Sequence, residues 1–136
     1  MAVAATIKHG YTSVLHRDWG REIIVIETPH YLGKILHMNA GKKGGLQYHV
    51  KKDEAFHLWK GQAIVRYDTG DGILREIGMV AGETYHIPPG AVHQVEAIED
   101  CVFFEVSTPV YDDRVRCEER YGLPSGGGLP TTSAAI

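Results

Sequence analysis

The sequence predicts an all-β protein, a sandwich or barrel of short strands, and three observations carry that prediction. Its apolar runs are short and rich in β-branched residues, turn residues separate them at close spacing, and no long stretch keeps a helical period. Ile23-Ile24-Val25-Ile26 is too short for a helix and reads as a buried strand. Thr28-Pro29-His30 breaks it, and a second strand runs from Tyr31 to Met38, up to the turn Asn39-Ala40-Gly41. Further strands are expected at 46–51, 54–60, 62–68, 72–77, 83–87, 93–98 and 101–107. Lys60-Gly61, Thr69-Gly70-Asp71-Gly72, Ala81-Gly82, Pro88-Pro89-Gly90 and Glu99-Asp100 mark the turns between them. Residues 1–18 show no sustained period and form an N-terminal arm, within which Tyr11 to Leu15 is apolar enough for a short strand. After Pro109 the pattern changes. Residues 111–121 are too charged for a buried helix and suit a short surface helix capped by Asp112 or Asp113. Residues 123–136, with three consecutive glycines at 126–128, are expected to be a flexible tail, ordered only against a neighbour. One domain thus occupies 19–122.

Bulk properties narrow the class of function. A chain of 136 residues with a net charge of -3 lacks the basic footprint of a nucleic-acid-binding protein. No apolar stretch is long enough for a transmembrane helix, and the first seven residues lack the basic start of a signal peptide, so a cytoplasmic protein is expected. Cys101 and Cys117 belong to no paired-cysteine motif and read as two reduced thiols.

The chemistry concentrates in 44–61 and 82–93. On a strand, Gln47, His49 and Lys51 share one face while Tyr48 and Val50 take the other. A turn at Lys52-Asp53 lets Glu54 open the next strand and return its carboxylate beside the imidazole. His93, after a Pro-Pro-Gly turn, closes the set. Two imidazoles, a carboxylate and an amide oxygen make a borderline ligand set without thiolate, suited to a divalent metal such as Zn, Mn, Fe or Co. By the same parity His57 points away from Glu54, and His86 is placed at the rim or in a structural hydrogen bond.

These segments resemble the two cupin motifs, in which a Gly, a strand His, a Glu and a closing Gly precede Gly…Pro-x-Gly-x-x-His. Gly82, Pro88, Gly90 and His93 fall at the spacing of the second motif. The fold this implies is the cupin double-stranded β-helix or jelly-roll barrel, with a short helical or coil C-terminal extension. In the first motif Lys51 stands where most cupins have a second His, and Gln47 precedes His49 as in the phosphomannose isomerases. Carried over by position, the metal ligands implied are Gln47, His49, Glu54 and His93, with Zn first and Mn, Fe, Co or Ni as alternatives. Trp19-Gly20, Lys34, Phe104-Glu105-Val106 and the segment from Asp112-Asp113 to Tyr121-Gly122 extend the likeness to the cupin domain of type II mannose-6-phosphate isomerases.

That resemblance implies an aldose–ketose isomerase or epimerase acting on a sugar or sugar phosphate. Such an enzyme moves a proton between neighbouring carbons and needs a base within reach, for which Lys34, Lys51 and Glu105 are the candidates. The alternatives are a metal-dependent oxygenase or decarboxylase of a small molecule, and a non-catalytic sugar-binding cupin. A homodimer is the expected assembly, with no nucleic acid or membrane as partner.

Overall fold

Alternation of buried and exposed side chains builds the architecture of residues 5–132, which the computed structural model describes. In chain order the strands are β1 (Ser13–Arg17), β2 (Gly20–Glu27), β3 (Leu32–Met38), β4 (Gln47–His49), β5 (Glu54–Lys60) and β6 (Gln62–Asp68). They continue with β7 (Leu74–Val80), β8 (Thr84–Ile87), β9 (His93–Ala97), β10 (Cys101–Ser107) and β11 (Arg114–Arg116), and a 3-10 turn follows at Glu118–Tyr121. One sheet has the order β1-β2-β3-β10-β5-β8 and the other β11-β4-β9-β6-β7. Every strand pairing is antiparallel, and from β3 onward the chain crosses repeatedly between the sheets, which is the jelly roll expected.

Both sheets contribute to the main core. Phe56, Leu58 and Phe103 from the six-stranded sheet meet Ala63, Val65, Met79 and Ala97 from the five-stranded one. Phe56 meets Tyr85 and Phe103 edge-on, at interplanar angles of 82° and 77°. Such ring pairs add about 0.5–1.5 kcal/mol beyond the area they bury. At Gly61 the chain steps from β5 in one sheet to β6 in the other with φ 106°, and a Cβ there would lie 2.5 Å from the Asp100 carbonyl oxygen. Only glycine takes that corner without strain. Cys101 and Cys117 are both buried free thiols.

The C-terminal region departs from expectation. Of the stretch read as a surface helix, Arg114–Arg116 instead forms β11, which pairs with β4. Val115 and Cys117 pack against Leu46, Tyr48 and Val92, and only Glu118–Tyr121 is helical, as the 3-10 turn. The tail, expected to be flexible, is bound along this strand over its described part. Thr132 N–H donates to the Arg114 carbonyl, Arg116 donates to the carbonyls of Gly126 and Leu129, and Gly128 N–H donates to Asp18. Its order depends on these long-range partners. Of the expected arm, Ser13–Arg17 is β1 and pairs with β2. The outermost parts of arm and tail, 1–4 and 133–136, lie outside the described residues.

Trp59, Phe104 and Val106 leave an exposed apolar row on the outer face of the six-stranded sheet. Among the described residues, no helix is long and apolar enough to cross a membrane.

Candidate metal centre

β4 turns Tyr48 into the outer apolar cluster and sends Gln47 and His49 inward, where Gln47 is registered opposite His93 of β9. β5 begins beside them with Glu54. His49 Nε2 lies 3.6 Å and His93 Nε2 3.1 Å from Glu54 Oε1, and one ligand atom from each residue lies within 4.8 Å of the others. All three side chains are buried.

The far sides of both rings are already engaged. His93 Nδ1 is 2.9 Å from the Ala91 carbonyl oxygen, which can only accept, so Nδ1 carries the proton and donates. His49 Nδ1 is 2.9 Å from Asp113 Oδ1. Asp113 also accepts backbone N–H bonds from Lys51 and Lys52, which together with His49 outweigh its burial and hold its carboxyl below the usual range. His49 Nδ1 therefore donates as well. Both Nε2 atoms face the cavity, His93 Nε2 against Glu54, and on losing its proton each would offer a lone pair there, with the ring orientation fixed by an outer partner as metal-binding histidines require. The donor set fits a divalent cation, with Gln47 on the same wall of the cavity.

Beside the triad runs a buried ladder of alternating charge. Lys52 Nζ lies 3.1 Å from both Glu54 Oε2 and Glu105 Oε2. Lys34 Nζ is 3.9 Å from Glu105 Oε2 and pairs closely with Glu22, whose other oxygen is 3.0 Å from Arg17 Nε. Burial by itself would raise the Glu54 pKa, but the His93 hydrogen bond and the Lys52 charge outweigh it and keep Glu54 ionised. Glu105 goes the other way. Burial, and then the charge of Glu54, push its pKa up, with Lys52 and Lys34 holding it back. Burial lowers the His49 pKa. For Lys52 burial is likewise unfavourable, but the two flanking carboxylates dominate and raise its pKa.

Lys51, expected to face the cavity, is exposed, and Lys52 takes its place. The strict alternation that pointed Lys51 inward ends at His49, where β4 stops. Beyond it, the Asp113 carboxylate accepts two successive N–H groups and turns the chain by one residue. Lys34 and Glu105 do line the cavity of about 160 Å³, together with Trp19, Phe56 and Phe103. His57 bonds to Thr84 and stacks on Phe104, outside the cavity lining, and His86 is exposed and bonds to Asp53. Sequence reading missed Glu22, Asp113, Arg17, Arg114 and Leu129. Of these only Glu22 left a signal, as a carboxylate opening the apolar run of β2.

No family model matches the sequence, and no curated protein sequence matches it. Solved structures do. The capsular polysaccharide assembling protein CapF of Staphylococcus aureus superposes with a TM-score of 0.69 at 23% identity, over 79% of this chain and 32% of that one. KdgF from Halomonas sp. gives 0.60 at 19%, covering 68% and 80%. Oxalate decarboxylase of Bacillus subtilis, described by its Mn(II) centres, gives 0.65 at 19%, covering 78% and 30%. The chain thus spans about a third of the length of CapF and of the decarboxylase. At these identities the likeness establishes the fold, the cupin jelly-roll barrel.

Proposed function

We propose that this cupin-fold chain is a metal-dependent enzyme of a small sugar or sugar phosphate, an aldose–ketose isomerase or epimerase. The observation that carries the reading is the convergence of His49, Glu54 and His93 with both Nδ1 atoms anchored, next to a buried carboxylate of raised pKa, Glu105. Those three residues and Gln47 would hold the cation, Zn(II) or, as in the decarboxylase structures, Mn(II). A bound divalent cation supplies polarisation of the substrate's carbonyl and hydroxyl oxygens. The protein supplies the proton chemistry. Glu105 takes the proton from the carbon next to the carbonyl and returns it to the neighbouring carbon, and the Lys52 ammonium, 3.1 Å away, stabilises its charged form. Trp19, Phe56 and Phe103 wall the space and restrict water.

The fold neighbours also support a second reading, decarboxylation of a small carboxylic acid at the same centre. Proton NMR in D₂O separates the two. With Zn(II)- or Mn(II)-loaded protein, the cation chelated before recording, a substrate C–H signal should be lost to deuterium. Glu105→Gln should abolish that loss while keeping the metal, and His93→Ala should lose both. Release of carbon dioxide without exchange would favour decarboxylation. Protein that takes up no metal would overturn both readings.

A further inference from the structure

We infer that Arg17 and Arg114 form an oxyanion subsite at the outer end of the cavity, which holds the phosphate or carboxylate group of the substrate. The subsite follows from the charge lining the cavity and from which of those charges are paired. Arg17, Lys34, Lys52 and Arg114 stand against Glu22, Glu54 and Glu105, so four cations face three carboxylates before any metal is added. Lys34 and Lys52 are enclosed by these carboxylates. Arg114 is not. Among the described residues it has no ion pair, and its side chain donates only to the Pro130 carbonyl oxygen, at 3.2 Å. A guanidinium carries five N–H donors in a rigid fork, so most of this one is left to the cavity.

Arg17, on β1 of the other sheet, spends Nε on Glu22 and presents its remaining donors to the same cavity. Its side chain is 21% exposed, against 10% for Lys34 and 8% for Lys52, so the ladder ends in Arg17 at its open end. Burial, and then the charge of Arg17, depress the Arg114 pKa by more than Asp112, Glu22 and Asp113 raise it, so the two guanidinium charges lie close enough to repel. An oxyanion between them relieves that repulsion and accepts from both forks. Arg114 is opposite His49 across the β11–β4 pairing, which places the anionic end of a ligand next to the metal-binding strand.

The subsite itself stands on these residues, and only the identity of its occupant as a substrate rests on the proposed function. Isothermal titration of the full chain, metal-free and Mn(II)-loaded, with inorganic phosphate, D-glucuronate and D-glucose tests it. At least one of the two anions should bind, and its identity names the group. Arg17→Gln and Arg114→Gln should each weaken that binding about tenfold or more, the size of a lost charged hydrogen bond. Binding of glucose and of Mn(II) should not change. Absence of anion binding to the wild-type protein, wild-type affinity in either variant, or an equal loss for glucose each overturns the subsite. Arg114→Gln also cuts a tie to the tail, and if it fails to fold Arg17→Gln decides the matter alone. Arginine-dependent anion binding in a protein that takes up no Mn(II) would retain the subsite and refute the metal reading.

Discussion

Lys51 and Lys52 are neighbours of one chemical type with opposite fates. Lys52 sits between two buried carboxylates, so removing its charge leaves Glu54 and Glu105 facing one another without the cation between them, and only Lys34, 3.9 Å from Glu105, offsets their charge. Breaking a buried pair on one side costs about 3–5 kcal/mol. Lys52→Gln should therefore lose that much in urea unfolding of the chelated protein, whereas Lys51→Gln at its exposed site should stay within about 0.5 kcal/mol. The opposite order would return Lys51 to the cavity. The residue that decides between the two lysines is Asp113, which lies more than sixty positions along the chain from both. No local pattern announces such a partner. Parity is a property of an uninterrupted strand, and Gln47, His49 and Glu54 follow it because Gln47 and His49 bound one strand and Glu54 starts the next.

Among the elements, β2, β3, β5 and β10 were legible as strands because short apolar runs lie between turn residues, although in β2, read as buried, Val25 and Ile26 are exposed at the sheet's outer part. β11 was not, because three residues with two arginines carry no period of their own and take their geometry from pairing with β4. The bound tail was equally hidden, since glycine-rich sequence reports only freedom and not the groups that will hold it. Glu118 is one of those groups. It accepts from Gly126 N–H at 2.8 Å and from Arg116 Nε at 3.0 Å. Burial would raise its pKa, but Arg116 and the backbone donors bring it from 4.5 down to about 2. A carboxylate depressed on folding adds stability that is fully present above its ordinary pKa and is lost as pH falls toward the depressed one. Amide exchange at 126–132 should accelerate as pH drops from about 4.5 to about 2, after correction for intrinsic rates. In Glu118→Gln the tail should already exchange quickly at neutral pH. Acceleration of equal size in wild type and variant would assign the effect elsewhere.

At the scale of the whole molecule, the centre joins strands that the chain order keeps apart: His49 on β4, Glu54 on β5 and His93 on β9, from both sheets. A cation bound to all three favours only the folded barrel. At a hundredfold excess over its Kd it should stabilise that barrel by about 2.7 kcal/mol. For a domain of this size the melting temperature should rise by several degrees. A His93→Ala protein with an unchanged melting temperature on adding Zn(II) or Mn(II) would fit; an equal rise in that variant would mean the cation binds elsewhere.

The tail has one more consequence. Gly128 and Leu129 wall the cavity, yet neither apolar core cluster includes a residue beyond Tyr121. What the cavity admits is thereby partly encoded in a segment whose alteration leaves the barrel's own packing intact. Selection, or a designer, can vary Leu129 to change ligand preference at little risk to folding, while Gly128 is held to glycine by its φ of 90° and the strands that carry His49, Glu54 and His93 stay under the stricter constraint of the core.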